Sequence, residues 1–460
     1  MKSLIKTPKR LLVILFIGVT ALLIVPLRAQ VKILSLDEAV TLALENNREL
    51  QISKLESEKN DQSVREAWGN AMPSISFSSN FTHSFQTAQF FPRSFGNPGA
   101  TGFQGITLSG VNSANAGITL QQPLYRGVVY AAISAADIFA TLSQKGVEAT
   151  MAQTITDVKK SYYDVLIVQE QLKLIDQSIA RYELALNDTR GLFRQGLASD
   201  LDTLRAYVAL ENLRPSRIKA ETGIDIALTV LKTKIGISAT DNISLSDSLQ
   251  ENGLQAPIAF EEAYATALSE RPEVEQLKLQ VDASEALIDA EFSNHLPTLD
   301  AFAQFQTLTL TDNFEFSKYN FISQYSLGIQ LNVPIFNGFK TDAKVQKAEI
   351  EKKQSETRFE NLKELIRAEV RVSLSGVQES RKRILSQLKT VQSAERSYEI
   401  TRSRRQQGLV SLLEVSDAEL ALAQAKGNYL QAVYDFLIAK ANLDKALGVA
   451  TKFAKSESKK

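Results

Sequence analysis

Side chains able to do covalent chemistry are scarce in this 460-residue chain. It holds two histidines, His83 and His295, and no cysteine. Metal and nucleophile sites need their residues grouped at fixed spacing. No His-x-x-x-His pair, no Gly-x-Ser-x-Gly elbow and no phosphate-cradling glycine loop occurs. Carboxylates are plentiful, but they fall at coiled-coil spacing on what read as solvated helix faces. The sequence therefore names no catalytic residue, no cofactor-binding residue and no metal ligand; it implies no cofactor, and an enzyme is not expected. Thiol chemistry and disulfides are excluded outright. Basic and acidic residues number 52 each, for a formal net charge of zero, which argues against a nucleic-acid partner.

The chain says nearly the same thing twice. Leu36-Asp37-Glu38-Ala39 returns as Phe260-Glu261-Glu262-Ala263, and Pro73 returns as Pro297. Pro123-Leu124-Tyr125-Arg126-Gly127 returns as Pro334-Ile335-Phe336-Asn337-Gly338. Arg194-Gln195-Gly196-Leu197 returns as Gln406-Gln407-Gly408-Leu409, and Ile235-Gly236-Ile237 as Leu447-Gly448-Val449. The displacement is 224 residues early and 211 to 212 later, because one loop is longer in the first copy. A repeat this long is a duplicated half-molecule, not a solenoid unit. The expected division is residues 30–250 for the first repeat and 251–450 for the second.

Residues 1–29 read as an export signal. Lys2, Lys6, Lys9 and Arg10 precede an apolar run from Leu11 to Val25, and Leu27-Arg28-Ala29 offers a cleavage site. The alternative is an uncleaved anchor, although the run is short of the roughly 20 residues a span needs. A lipid-anchored start is excluded, since no cysteine follows. Beyond residue 29 no stretch reads as apolar enough for a transmembrane helix, so contact with a membrane must come through strands.

Each half reads as short helix, strand, loop, strand, long helix, tight turn, short helix. Ser35 suits the N-cap of a helix to about Met72, with Asp37 and Glu38 at its positive end. Residues 74–86 switch to period two: Ile75, Phe77, Phe81 and Phe85 oppose Ser74, Ser76, Ser78, Asn80, Thr82 and Ser84. Residues 87–113 read as an exposed loop and 114–124 as a strand. A proline-free helix then runs to Gln195, where Gly196 ends it. Ser199 or Asp200 starts the next helix, to about Ile235, with a kink expected at Pro215 and a matching bend at Gly427. The second half repeats this: helix 260–295, strands near 298–310 and 323–335, helix 339–406, and helix 411–447. In the last strand Leu327, Ile329, Leu331, Val333 and Ile335 oppose Gly328, Gln330, Asn332 and Pro334. Leu362, Ile366, Val370, Leu374, Val377, Ile384, Leu388, Val391 and Tyr398 form a narrow coiled-coil seam. Small residues such as Ala418, Ala421, Ala423 and Ala425 suit close helix walls. Residues 451–460 read as a disordered tail.

The long helices, at roughly 70 residues, would extend about 100 Å. The two short helices of each half match one long helix in length. Stacked end to end beside it they would make a rod with strands at one end. Four strands cannot close a barrel, and open edges in lipid carry unpaired amides costing several kcal/mol each. Strands of about 11 to 13 residues suit a tilted membrane crossing. Two copies would give a barrel filled by side chains; three would give twelve strands and a lumen lined by Ser, Thr, Asn and Gln. A homotrimer is the expectation, and a soluble antiparallel sheet is the alternative.

These features together resemble the TolC family of outer-membrane efflux proteins, over about residues 33–449. The resemblance rests on Leu36-Asp37-Glu38-Ala39 and its twin at 260–263, and on Leu296-Pro297 opening a strand. The Pro-Ile-Phe-Asn-Gly at 334–338 and the Gly-Leu turns at 196 and 408 complete it. Each motif is weak alone; their order, spacing and duplication are specific. The implied fold is mainly α with membrane β: internally duplicated, with long coiled-coil-like helical hairpins forming an α-barrel. Four strands per chain would contribute to a trimeric 12-stranded β-barrel. The implied function is an outer-membrane conduit of a tripartite efflux or type I secretion system. It would work with a periplasmic adaptor (membrane fusion) protein and an inner-membrane transporter, with its barrel in outer-membrane lipid and its tunnel in the periplasm.

Two sets of residues follow from that resemblance. The adaptor-contacting turns would be Gly196, Leu197 and Ser199, and Gly408, Leu409 and Ser411. The periplasmic gate would use Glu414 and Asp417 with Asp202; a threefold ring of carboxylates would attract cations and repel anions. Arg205 departs from the family's amide or acid, and would pair with Asp417 or Asp202 to lock the tip. Ordinary helix-start acids are the alternative reading. Phe81, Phe85, Phe90, Phe91, Phe321 and Tyr325 are candidates for an aromatic girdle, or for loop packing. Two other functions stay open at this point: a stand-alone porin, against which the long helices count, and a structural periplasmic coiled coil, against which the strand pairs count. The cargo is not readable.

Overall fold

The computed structural model describes residues 32–86, 89–90, 106–107, 110–250 and 258–451. The expected signal segment, the tail from 452 and Phe91 lie outside the described residues, as does the side chain of Phe90. The order begins β1 (Lys32–Leu34), α1 (Leu36–Asn46), α2 (Arg48–Gly69), β2 (Ser74–His83), β3 (Gln89–Phe90), β4 (Ile106–Thr107) and β5 (Asn112–Tyr125). It continues α3 (Gly127–Arg194), α4 (Asp200–Glu211), α5 (Leu213–Ile235), β6 (Ile243–Leu245), α6 (Phe260–Glu270) and α7 (Pro272–Phe292). It ends β7 (Thr298–Thr311), β8 (Ile322–Asn332), α8 (Lys340–Gln406) and α9 (Leu412–Ala446). The residues fall into two compact units. One takes the chain to Gln51, Met151–Ala267 and the chain from Glu369; the other takes Ile52–Thr150 and Leu268–Ala368.

The second unit holds an antiparallel sheet in the order β2-β5-β7-β8. Its register separates two faces. Ile75, Leu120, Ala303 and Leu327 stand in one row, and Phe77, Ile118, Phe305 and Tyr325 in the next. On the opposite face Ser76, Thr119, Gln304 and Ser326 align, as do Ser78, Gly117, Gln306 and Gln324. Through these rows period-two alternation yields one apolar and one polar face, while further along β7 the pattern reverses, Leu308 and Leu310 falling on the polar side and Thr307 and Thr309 on the apolar one. The apolar face is open: Phe77, Tyr325 and Leu327 are 70%, 78% and 85% exposed. Among the described residues, no strand lies beside the outer edges of β2 and β8 in this sheet. Arg126 Nε, just past β5, pairs with the buried Asp300 of β7 at 2.9 Å.

The first unit is helical, around a core the sequence reading did not anticipate. The three-residue strands β1 and β6 pair in parallel. Leu34, Ala39, Val40 and Ala43 pack with Ile155, Val158, Tyr162, Val165, Leu231 and Ile235. The single hydroxyl proton of Tyr162 is shared between two acceptors, Asp247 Oδ2 at 2.7 Å and Leu34 O at 3.0 Å. Burial, and then Asp247, push its pKa above the ordinary tyrosine range.

Several expected elements differ in detail. The first helix is broken at Asn47, whose backbone is extended. Its amide donates to Lys234 O at 2.8 Å, and its Oδ1 accepts from Leu50 N at 3.0 Å, so Asn47 caps α2 while holding α5. The matching helix breaks at Arg271, forced into extended backbone by Pro272, the first residue of α7. The kink assigned to Pro215 is a break at Asn212 instead. Proline excludes the carbonyl four residues back, that of Glu211, where α4 ends; Pro215 itself sits harmlessly in the first turn of α5. At Gly427 there is no break: a glycine keeps its N–H, and α9 runs on through it. The last strand stops at Asn332, leaving Val333 and Ile335 outside it next to Pro334. Of the seam, Ile366, Val370, Leu374, Val377 and Ile384 are buried; Leu388 is partly open. The buried stripe of α9 begins with Leu412, Val415, Glu419, Leu422 and Ala425, whereas Ala421 is exposed. One helix, α3, does contain an 18-residue window long and apolar enough to cross a membrane, at mean hydropathy 1.2, contrary to the sequence reading.

Candidate functional site at the hairpin turns

The two Gly-Leu turns are built alike. Gly196 and Gly408 both take φ of +73°, the left-handed backbone that glycine enters without a Cβ penalty. Leu197 N donates to Leu192 O at 2.8 Å and Gly196 N to Phe193 O at 2.9 Å. Leu409 N donates to Arg404 O at 3.0 Å and Gly408 N to Arg405 O at 2.9 Å. Each turn therefore satisfies two of the last carbonyls of its long helix by the same pair of hydrogen bonds. Leu197 and Leu409 stand 70% and 63% exposed. Leu201, Leu204 and Val208 continue an exposed apolar face along α4.

The helices after the turns start with reciprocal capping boxes. Ser199 Oγ accepts from Asp202 N at 3.1 Å, and Ser199 N donates to Asp202 Oδ2 at 3.2 Å. Ser411 Oγ accepts from Glu414 N at 3.3 Å, and Ser411 N donates to Glu414 Oε1 at 3.1 Å. Two of the acids assigned to a gate are thus engaged as helix starts within the chain. The bonds from the Ser411 backbone and hydroxyl, and then the charge of Arg404, hold the Glu414 carboxyl below its usual range. Asp417 and Arg205 are exposed. Among the described residues of one chain neither forms an ion pair, so Arg205 meets neither Asp417 nor Asp202.

A second layer lies behind the turns. Leu186 of α3, Ala206 and Leu210 of α4 and Leu412 of α9 form a buried cluster with Ile179 and Tyr182. Beside it Arg181 of α3 meets Glu419 of α9, with Nε 2.7 Å from Oε1 and 2.6 Å from Oε2. Glu419 is 3% exposed and the Arg181 side chain 19%. Arg181 also donates to Ser178 Oγ at 3.0 Å and lies 6.0 Å from the Tyr398 ring centre. Burial, and then the Glu419 charge, raise the pKa of Tyr182 and of Tyr398. The sequence reading missed this pair: its members lie 238 positions apart, and each alone is an ordinary helix charge. Near the second turn Arg405 Nη1 donates to Val410 O at 3.0 Å, bracing the loop. Arg405 lies three residues before Gly408, in the stretch Arg402-Ser403-Arg404-Arg405, which the sequence reading did not single out.

Of the aromatic candidates, Phe81, Phe85, Phe321 and Tyr325 are exposed. Tyr325 stacks obliquely on Phe305, ring centres 4.9 Å apart, on the apolar sheet face.

The family model for outer membrane efflux proteins matches residues 39–236 and 263–449. Alkaline protease secretion protein AprF of Pseudomonas aeruginosa is 25% identical over 335 residues, covering 72% of this chain and 69% of its own. Probable efflux pump outer membrane protein TtgC of Pseudomonas putida is 23% identical over 415 residues, 90% of this chain and 83% of its own. The solved outer-membrane channel CmeC of Campylobacter jejuni superposes with a TM-score of 0.73 at 18% identity, over 92% of this chain and 89% of that one. Its likeness is one of fold. Matched across nearly its whole described length, the chain belongs to the outer membrane efflux protein family, the TolC-type proteins of the outer membrane.

Proposed function

We propose that three copies of this chain form a conduit through which an inner-membrane transporter and a periplasmic adaptor export solutes or polypeptides. The observation that carries this reading is the sheet: one apolar and one polar face, both exposed, between two open edges. Apolar rows such as Phe77, Ile118, Phe305 and Tyr325 suit lipid, and rows of Ser, Thr and Gln suit water. Closure of β2 of one copy on β8 of the next would satisfy both edges, and three copies would close twelve strands around a wet lumen. Helices of the three copies would form the tunnel. The two repeats, residues 30–250 and 251–450, would contribute equivalent hairpins.

At the tunnel tip Gly196, Leu197, Ser199, Gly408, Leu409 and Ser411 would meet the adaptor. The regular, exposed Gly-Leu turns support this, because an open leucine on a rigid turn is an apolar contact waiting for a partner. Asp417, with Glu414, Asp202 and Arg205, would line the gate in the trimer. Protease secretion and efflux both appear among the relatives' names, and the same conduit serves either, since the choice of cargo rests with the transporter. Single-channel conductance in planar bilayers tests the reading. Wild type is expected to conduct weakly and Glu414→Ala/Asp417→Ala strongly. Large conductance indifferent to the mutation would move the gate elsewhere, and no conductance in either protein would refute the conduit.

A further inference from the structure

All four crossings between the sheet and the long helices carry exposed aromatic side chains. Trp68, the chain's one tryptophan, stands in the last turn of α2 before β2, and Tyr125 and Tyr130 flank the passage from β5 into α3. Phe292 closes α7 before β7, and Phe336 and Phe339 lie between β8 and α8. The crossings join one another in sheet order. Gln122 Nε2 donates to Ala71 O at 3.0 Å, Arg126 pairs with Asp300 as described above, and Lys344 of α8 meets Glu291 of α7 at 3.1 Å. These bonds hold the crossings at one level of the sheet and match charges there within the chain.

Phe339 is the costly member. Among the described residues it is the one non-glycine residue with positive φ, at +61°, directly after Gly338 at +68°. A bulky side chain is rarely held in left-handed backbone. Its equivalent in the first copy, Val128, already belongs to α3. The strain gains little inside the chain. Phe339 is 70% exposed and Phe336 75%, with their rings 5.5 Å apart and edge to face. Strain kept without packing in return calls for a contact outside the chain.

The far end of the sheet tells what that contact is. There Phe81, His83, Phe85 and Phe314 cluster around the end of β2, with ring centres 5.0 to 6.4 Å apart. The ten residues of β2 make a strand about 33 Å long, which stands about 25 Å high at a barrel tilt of about 40°. That is the height of the apolar band of a membrane barrel. Between the two aromatic levels lies the open row of Phe77, Ile118, Phe305 and Tyr325. A docking patch for a protein partner would be confined to one side, whereas here an aromatic residue stands at every crossing, and so all round a closed ring.

We propose that the four crossings seat in the phospholipid headgroup layer of the periplasmic leaflet, with Phe336 and Phe339 as the anchor. This level and the aromatic cluster at the far end then fix the depth of the barrel between them. The proposal rests on the membrane-barrel reading above and adds its lipid contact. Aromatic rings favour that depth because an apolar body meets the acyl chains while a polar edge stays near water.

The single tryptophan makes the test direct. Full-length protein is reconstituted in vesicles of phosphatidylcholine and phosphatidylglycerol whose acyl chains carry bromine either near the headgroup or near the chain end. Trp68 fluorescence is expected to be quenched about twofold more by the shallow bromines than by the deep ones, and to be shielded from aqueous iodide. Two further proteins move the reporter, each with Trp68→Phe. Phe339→Trp should behave as Trp68 does, and Phe77→Trp, on the apolar sheet face, should answer more to the deep bromines. If lipid quenches Phe77→Trp but neither Trp68 nor Phe339→Trp, the proposal is overturned and the barrel reading stands. Iodide would then sort the two failures: access puts these rings in water, and shielding puts them against a second copy. If lipid quenches none of the three positions, the barrel reading falls and takes the proposal with it.

Discussion

The Arg181–Glu419 pair makes the sharpest energetic prediction. Glu419 is almost fully buried and both of its oxygens accept from Arg181, whose side chain keeps 19% of its surface. Glu419→Ala strands a guanidinium among Leu186, Leu412 and two tyrosines. Removing one member of a buried pair costs about 3–5 kcal/mol, and the partial exposure of Arg181, with its bond to Ser178, places this case near 3 kcal/mol. That corresponds to roughly a hundredfold in a local opening equilibrium. Unfolding of a membrane assembly is rarely reversible, so the measurement is native-state hydrogen exchange of the amides of α9 around Glu419. Replacing both members, Arg181→Met with Glu419→Leu, removes the stranded charge and is expected to be nearly neutral. If Glu419→Ala accelerates exchange less than about threefold, or if the double variant is worse than either single one, the pair is not the desolvated contact described here.

Other outcomes follow from the same geometry. Ser411→Ala should open the start of α9 by about 1 kcal/mol, read by exchange in its first turn, and Ser199→Ala should do the same for α4. Glu414 titrates below its ordinary value of 4.5 when folded, so its capping contribution is present at neutral pH and lost as pH falls below that value. The difference in exchange between wild type and Glu414→Gln should accordingly shrink in acid, and a difference that grows would contradict the capping box. Gly408→Ala meets open space and should cost only the backbone strain, about 1–2 kcal/mol. Gly236→Ala also drives its Cβ into the Asn46 carbonyl and should cost clearly more, by thermal unfolding in detergent. Since the chain has no cysteine, Gln306→Cys and Phe305→Cys offer a clean pair in isolated outer membranes. A charged maleimide should label the first and not the second, and the reverse would invert the assignment of the sheet faces.

What the sequence made legible was whatever repeats with a period or punctuates a helix. Alternation in 74–86 and 323–335 located strands, and Gly196 and Gly408 located the turns to the residue. Ser35, Ser199 and Ser411 all cap as their types predict. Contacts without local pattern stayed hidden. The β1–β6 pair joins two three-residue strands over two hundred positions apart, too short for periodicity to register. Asn47 breaks a helix because its amide finds Lys234, a tertiary bond that overrides a compatible local sequence. Pro272 could have been read, since proline restricts the residue before it, and Pro215 was read but placed at the wrong end of its effect. At the turns, position gave the glycines and acids, but not that Asp202 and Glu414 would be occupied by their own caps, nor that Arg405 would brace the turn through Val410 O.

The two bare edges of the sheet bear on how the protein comes to exist. In water a lone chain displays Phe77, Tyr325 and Leu327; in lipid it would hold two rows of unmet amides along β2 and β8. Neither solvent suits it singly. Edge-to-edge pairing is also the geometry of aggregation, so a newly exported chain is at its most hazardous before it finds its own kind. Ring closure and membrane entry should then be one event, whose rate climbs steeply with the supply of chains, and whose failure yields precipitate in place of a half-built pore.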